Sequence, residues 1–277
     1  MIYITTAMYC EAKPFIKYLN LKRDNSIKKF QVFKNEQFVL IISGTGVISS
    51  SIATTYLLTE FNSKPSDTFI NIGICGGKNK GLDKGEVVLC NKIIHHDTKR
   101  TYYSDIIFKH PFREGSLETF SNVVNKDMFS TIKGDIVDME GAGTFKAASI
   151  FLPPHRIYCI KIVSDFLDSE SLTKEEISKL LENKVPLISK WIKEIEDAYS
   201  LSYKIFTDEE EKVLEIVTKN LKLTITMEYK LRELAKYYKI HSKDLIEVIK
   251  PFLNITSKTK KEGKDYFERL KKRLSPF

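Results

Sequence analysis

Asp138-Met139-Glu140-Gly141-Ala142-Gly143 decides how this chain is read. Residues 136–139 form a short apolar strand, and the Met-Glu pair at its end opens into a helix of small residues. An ionised Glu at such a strand end has two acceptor oxygens and no donor, so it can take both hydrogens of a vicinal diol. Ribose is the commonest diol in a cell. Twenty-five positions further on, Ile160-Lys161-Ile162-Val163-Ser164-Asp165 ends a second apolar strand in another acid. Two acids at the ends of neighbouring strands imply a site.

Outward from that stretch, apolar strands alternate with helical segments, the pattern of an α/β domain. Strands are expected at 2–6, 68–74, 86–89, 136–139 and 157–163, with a hairpin of 29–33 and 37–42 around Asn35. Helices are expected at 11–19, 49–61 and 174–197. Strand 68–74 is continuously apolar, as a central strand covered on both faces should be. Cys75-Gly76-Gly77 then reads as a turn, and the polar, aromatic stretch through Pro111 as a loop.

Beyond residue 200 the pattern becomes wholly helical. Stripes of Val213, Val217 and Leu221, of Met227, Leu231, Leu234 and Tyr238, and of Leu245, Ile249 and Phe252 follow one another, the last stopped near Pro251 and Asn254. Charge changes there too: residues 201–277 hold 18 Lys and Arg against 12 Asp and Glu, whereas residues 1–200 hold 26 against 24. The expectation is an α/β domain over 1–200 with a mixed, twisted central sheet flanked by helices, and a small, basic, all-α domain over 201–277.

At 277 residues with 42% hydrophobic content the chain has ample material for a core, which excludes global disorder. Its apolar runs are too short to span a bilayer, and the N-terminus lacks a basic region ahead of an apolar segment. A cytoplasmic protein without membrane contact is expected. Cys10, Cys75, Cys90 and Cys159 stand far apart in or beside apolar strands, the placing of buried, reduced thiols. No ligand spacing calls for a metal. His95-His96-Asp97 could suggest a metal or a His-Asp dyad, and reads better as a hydrogen-bonded turn.

Several motifs stand in register with the two acids: Ala7-Met8-Tyr9-Cys10-Glu11, Ser43-Gly44-Thr45-Gly46, Asn71-Ile72-Gly73-Ile74-Cys75-Gly76-Gly77 and His96-Asp97. Together they resemble the nucleoside phosphorylase/nucleosidase superfamily, and within it the 5'-methylthioadenosine/S-adenosylhomocysteine nucleosidases, over about residues 1–197. The resemblance implies hydrolysis of the N-glycosidic bond of a purine nucleoside, releasing adenine without metal or organic cofactor. It implies that Glu11 positions and deprotonates water, that Glu140 grips the ribose hydroxyls with Met139 packed beneath the sugar, and that Asp165 of Ser164-Asp165 protonates purine N7. Phe120 is then the residue stacked on the base and Ser121 a backbone contact, with Gly76 and Ile74 also facing the substrate. Related nucleosidases are homodimers whose neighbouring loop closes the 5' pocket; by position that loop supplies Tyr103, Phe108 and Pro111.

These residue types suit the chemistry. Cleavage puts positive charge on the ribosyl ring and negative charge on the leaving base, so carboxylates near the sugar and a protonated acid at N7 favour it. Asp165 must then hold a proton near neutral pH, which burial or the field of Glu11 and Glu140 would bring about. Considered alone, Glu11 also suits a helix start, where it complements the dipole, and Glu140 and Asp165 suit helix caps. Three departures from the family pattern stand out: Ile74 where a Ser is usual, Lys161 where an Arg is usual, and Leu117-Glu118 where Gly-Asp is usual. Lys in place of Arg keeps charge and loses the planar fork.

Two alternatives remain. A phosphorylase shares the Asp-Met-Glu and Val-Ser-Asp strings but needs cations around its phosphate, and the first loop offers only Lys13 before Arg23. A futalosine-type hydrolase would use the same acids on a different 5' group. The other class is a nucleoside-binding sensor with a nucleic-acid-binding tail. Residues 231–249 would then form a helix-turn-helix, with the turn at 238–242 and Lys236, Tyr237, Tyr238, Lys239 and Lys243 toward phosphate. The plainer reading of the tail is a helical oligomerisation or capping module.

Overall fold

The computed structural model describes all residues except 79–80, 169–171, 204, 242–243 and 276–277. The chain divides into two compact units, Met1–Glu196 and Asp197–Phe277.

In the first unit, alternation along buried strands builds a core on each face of one mixed sheet. Successive side chains of a strand point to opposite faces, so Ile2 and Ile4 join one cluster while Tyr3, between them, joins the other. Ile70 and Ile72 separate from Phe69 in the same way, and Ile160 and Ile162 from Cys159 and Val163. On one face lie α1 (Tyr9–Tyr18), α4 (Lys174–Glu182) and α5 (Val185–Tyr203), whose Phe15, Leu181, Ile188 and Trp191 fill the first cluster. On the other lie α2 (Val47–Glu60) and α3 (Gly141–Ala148), contributing Ala53, Leu57, Phe145 and Ala148.

The strands are β1 (Ile2–Thr6), β2 (Lys22–Arg23), β3 (Gln31–Lys34), β4 (Phe38–Ile42), β5 (Thr68–Gly77), β6 (Val87–His95), β7 (Thr101–Tyr103), β8 (Arg113–Thr119), β9 (Ile136–Asp138) and β10 (Ile157–Asp165). The sheet is more than twisted. β5 pairs with β10, β10 with β6, β6 with β8, β8 with β9, and β9 with β5 again, so five strands close into a ring. From β5 the sheet continues outward through β1, β4, β3 and β2. Closure brings the carboxyl ends of β9 and β10 beside the far half of β5.

Four local expectations change. Gly76 and Gly77 do not turn; they extend β5 and pair with Val137 and Ile136. The stretch read as a loop contains β7, and Arg113–Thr119, polar in sequence, is the parallel strand β8 held between β6 and β9. The helix expected over 174–197 is two helices, because Pro186 in the first turn of α5 has no N–H for the preceding turn. Asn35 does make the hairpin bend: its Oδ1 accepts from the backbone N–H of Gln37 and Phe38.

The second unit holds α6 (Asp208–Asn220), α7 (Ile225–His241), α8 (Leu245–Leu253) and α9 (Lys260–Leu274) around Val217, Leu221, Leu231, Ile249, Phe267 and Leu270. A capping box starts α6, where Thr207 Oγ1 accepts from Glu210 N and Glu210 accepts from Thr207 N. Tyr238 lies inside α7, not in a turn, while Ser242 and Lys243 lie outside the described residues. Among the described residues no helix is long and apolar enough to cross a membrane.

Candidate active site

Glu11, Glu140 and Asp165 line one cavity of about 230 Å³. Glu11 arrives on the first turn of α1, Glu140 as the residue capping α3 after β9, and Asp165 as the last residue of β10. Met139, Ile74, Gly76 and Ser164 also line it, as do Met8, Thr45, Asn122, Val123, Val124, Asp138 and Leu167. No Lys, Arg or His is among these residues.

Each acid is fixed by backbone donors. Glu11, 2% exposed, accepts from Met8 N through Oε2 and from Ile74 N through Oε1, both at 2.9 Å. The bland reading of Glu11 as a helix-start residue is therefore also true. Gly73 permits this seat, because a Cβ there would stand 2.9 Å from Glu11 Oε1. Glu140 Oε1 accepts from Gly46 N at 2.9 Å. Gly46 has φ +94°, a conformation that only glycine adopts without strain, so the loop can aim its N–H at the acid. Asp165 accepts from Ser164 Oγ at 2.6 Å and from Leu167 N at 2.9 Å.

Behind these acids lies a charge pair that motif reading passed over. Lys161 Nζ and Asp138 Oδ2 are 2.7 Å apart, each side chain 1% exposed. Asp138 also accepts from Thr119 Oγ1 and Gly141 N, both at 2.7 Å. Burial pulls the Lys161 ammonium down, but Asp138, Cys159 and Glu140 outweigh it and hold it well above the ordinary lysine value. Three acids thus share the field of one lysine. Burial raises Glu11 above the ordinary carboxylate range, against the opposing effects of the Ile74 N–H, Lys161 and the Met8 N–H. Burial and then Asp138 push Glu140 up to about 7, against Lys161 and the Gly46 N–H. A lysine between two isoleucines of a buried strand was the available signal, since such a cation needs an acid beside it.

Two expected site residues lie outside the cavity lining. Phe120 does not line the cavity. Its ring stacks on His96 with centroids 3.9 Å apart and packs with Ile132, Val137 and Leu167. The cause lies two residues back: Glu118, 1% exposed, accepts from Lys133 N and Gly134 N and pairs with His96 Nδ1 at 2.7 Å, so His96 is drawn over Phe120. Burial raises Glu118, and these hydrogen bonds more than offset it, leaving it below the ordinary value. Ser121 donates to Asp97 and is exposed. His95-His96-Asp97 is accordingly a hydrogen-bonded turn, with Thr98 N donating to His95 Nδ1. Tyr103 is 60% exposed on β7 and Pro111 is exposed, while Phe108 packs against the first core cluster.

A mixed sheet with helices on both faces, carrying acids at the ends of β9 and β10, defines the fold class of nucleoside phosphorylases and nucleosidases. Residues 2–122, under half of the chain, match the family model described as "Phosphorylase superfamily". It is 34% identical over 104 residues to a 5'-methylthioadenosine/S-adenosylhomocysteine nucleosidase of Exiguobacterium, a match covering 36% of this chain and 43% of that protein. A nucleosidase of the same name from Buchnera aphidicola is 26% identical over 199 residues, 59% of this chain and 82% of that one. The chain thus spans under half the length of the first of these relatives. The nucleosidase structure from Neisseria meningitidis, in complex with methylthio-immucillin-A, superposes with a TM-score of 0.60 at 20% identity, over 70% of this chain and 98% of that one, a likeness of fold.

Proposed function

We propose that the first unit hydrolyses the N-glycosidic bond of 5'-methylthioadenosine or S-adenosylhomocysteine and releases adenine, in the cytoplasm. The observation that supports this reading is the convergence of Glu11, Glu140 and Asp165 on one cavity whose lining, among the described residues, has no cationic side chain. In this reading Glu11 holds and deprotonates the attacking water, its orientation set by the Met8 and Ile74 N–H groups. Glu140, ionised, accepts from the ribose hydroxyls above Met139. Asp165, held by Ser164 and Leu167 N, delivers its proton to N7 of the leaving base. The growing cation on the sugar sits in the field of Glu11, Asp138 and Glu140, where the low dielectric magnifies each charge. Phosphate, a dianion, would meet Glu11, Asp138, Glu140 and Asp165 and no cationic side chain in the described lining, which favours water as nucleophile.

The second unit is proposed as a helical module that assembles or caps the chain rather than reads nucleic acid. Lys239 pairs with Glu210, and Lys236 pairs with Glu233 at 2.9 Å, so two cations expected to face phosphate are engaged within the unit. Homodimerisation through the first unit, with Tyr103 and the loop to Pro111 reaching a neighbour's cavity, belongs to the same proposal.

Ile74 favours a second reading, a nucleoside sensor. It puts an apolar wall beside Glu11 where related enzymes carry a hydroxyl, leaving a bound water one polar partner fewer. Turnover distinguishes the two. The protein is incubated with methylthioadenosine, adenosine and inosine, with and without phosphate, and base and sugar are separated by chromatography. Adenine with free methylthioribose supports the hydrolase; a sugar 1-phosphate formed only with phosphate identifies a phosphorylase, and binding without base release a sensor. A futalosine-type hydrolase would release base only from a substrate with that 5' group.

A further inference from the structure

The outward face of α7 carries large apolar side chains that its own bundle does not cover. Ile225 is 88% exposed, Tyr229 69% and Ile240 75%. At about 100° per residue, Ile225, Tyr229, Glu233, Lys236 and Ile240 fall within roughly an 80° arc. The inward stripe of Leu231 and Ala235, both fully buried, lies on the opposite side of the helix. Ile225 and Tyr229 toward one end and Ile240 at the other frame the charged pair of Glu233 and Lys236, so the face presents apolar and ionic contacts together.

The order of residues along that face says what it contacts. From one end it reads Ile225, Tyr229, Arg232-Glu233, Lys236, Ile240, and from the other end it has the same spacing. Positions 225 and 240, 229 and 236, and 232 and 233 are related by a two-fold axis through the middle of the helix. We propose that α7 is a self-association seam that pairs antiparallel with α7 of a second copy of this chain. Ile225 then meets Ile240 of the other copy, Tyr229 offers its ring face to a lysine, and Arg232 meets a glutamate. An isologous contact requires that kind of self-complementarity. A parallel arrangement would set Glu233 against Glu233 and Lys236 against Lys236, which like-charge repulsion disfavours. In the free chain the same charges are held locally, Lys236 by Glu233 at 2.9 Å and Arg232 by Glu211 at 2.7 Å. They are thus already on this helix and need only exchange partners. The inference does not depend on the activity of the first unit or on any contact that unit makes.

Cysteine pairing tests it. Ile225→Cys and Ile240→Cys are made singly in the full chain, whose four native cysteines are buried. The two variants are co-expressed under different tags and treated with a short bis-maleimide. The two positions lie about 22 Å apart along one helix, so antiparallel pairing should give at least about tenfold more 225-to-240 product than either variant gives with itself. Equal yields, or no covalent dimer in the mixture, overturn the proposal. As a second reading, Tyr229→Glu, another exposed position, is added to both cysteine variants; helical circular dichroism should be unchanged and the 225-to-240 product should fall at least about tenfold. An unchanged yield overturns the seam.

Discussion

The charges of the two units are arranged on opposite plans. Around the cavity, Glu11, Asp138 and Glu140 are buried with one lysine among them, and two of the three acids are raised above their ordinary range. In the helical unit, several acids and bases pair at the surface, such as Lys250 with Glu247 at 3.6 Å, both 67% exposed. Buried imbalance is costly and persists where it serves a task, whereas exposed ion pairs contribute little to stability. The basic composition of the tail therefore says less about function than the single buried lysine of the first unit does.

The sharpest way to break this comparison is Asp165→Asn. It should leave nucleoside affinity largely intact and lower adenine release by about 10²–10⁴-fold, the usual worth of a general acid; wild-type turnover would remove Asp165 from that role. Next comes Lys161→Met, which strands Asp138 without its cation and should cost about 3–5 kcal/mol in denaturant unfolding. A loss below about 1 kcal/mol would show that the pair is not the electrostatic centre of the site.

Glu140→Gln should act in the opposite direction on stability. With its folded pKa pushed up to about 7 and an unfolded value near 4.3, the group's stabilising contribution is complete below the unfolded value and lost as pH rises through 7. The variant should match wild type near pH 4 and exceed it by roughly 3–4 kcal/mol at pH 8, while losing activity. Thermal melts across that range check the sign, and a variant less stable than wild type at pH 8 contradicts it. The smallest effect belongs to Lys250→Ala, expected within about 0.5 kcal/mol of wild type. A larger loss would mean that the tail's surface pairs are more than solvated partners.

What was legible in the chain was local. Apolar runs exposed the central strands, and Asp138-Met139-Glu140 and Ser164-Asp165 announced acids at strand ends, because a strand end and its side chain are adjacent in sequence. What was hidden depended on partners. Arg113–Thr119 has too many polar residues to look like a strand, and it is one because β6 and β9 supply hydrogen bonds on both sides. The Lys161–Asp138 pair joins β10 to β9, which become near neighbours only once β5 lies between them and the ring closes. Phe120 depends on partners in the same way: its neighbour is His96, brought there by Glu118. In the tail, periodicity located the helices, but only the folded unit shows Tyr238 inside α7 and Lys239 spent on Glu210.

The outermost strand, β2, has a consequence of its own. A sheet that closes on one side must still end on the other, and an unpaired margin invites a neighbouring molecule to add a strand. Here the margin is two residues long, Lys22–Arg23, both exposed. So short and so cationic a border is a poor template for an added strand, which discourages edge-to-edge pairing at this end of the sheet.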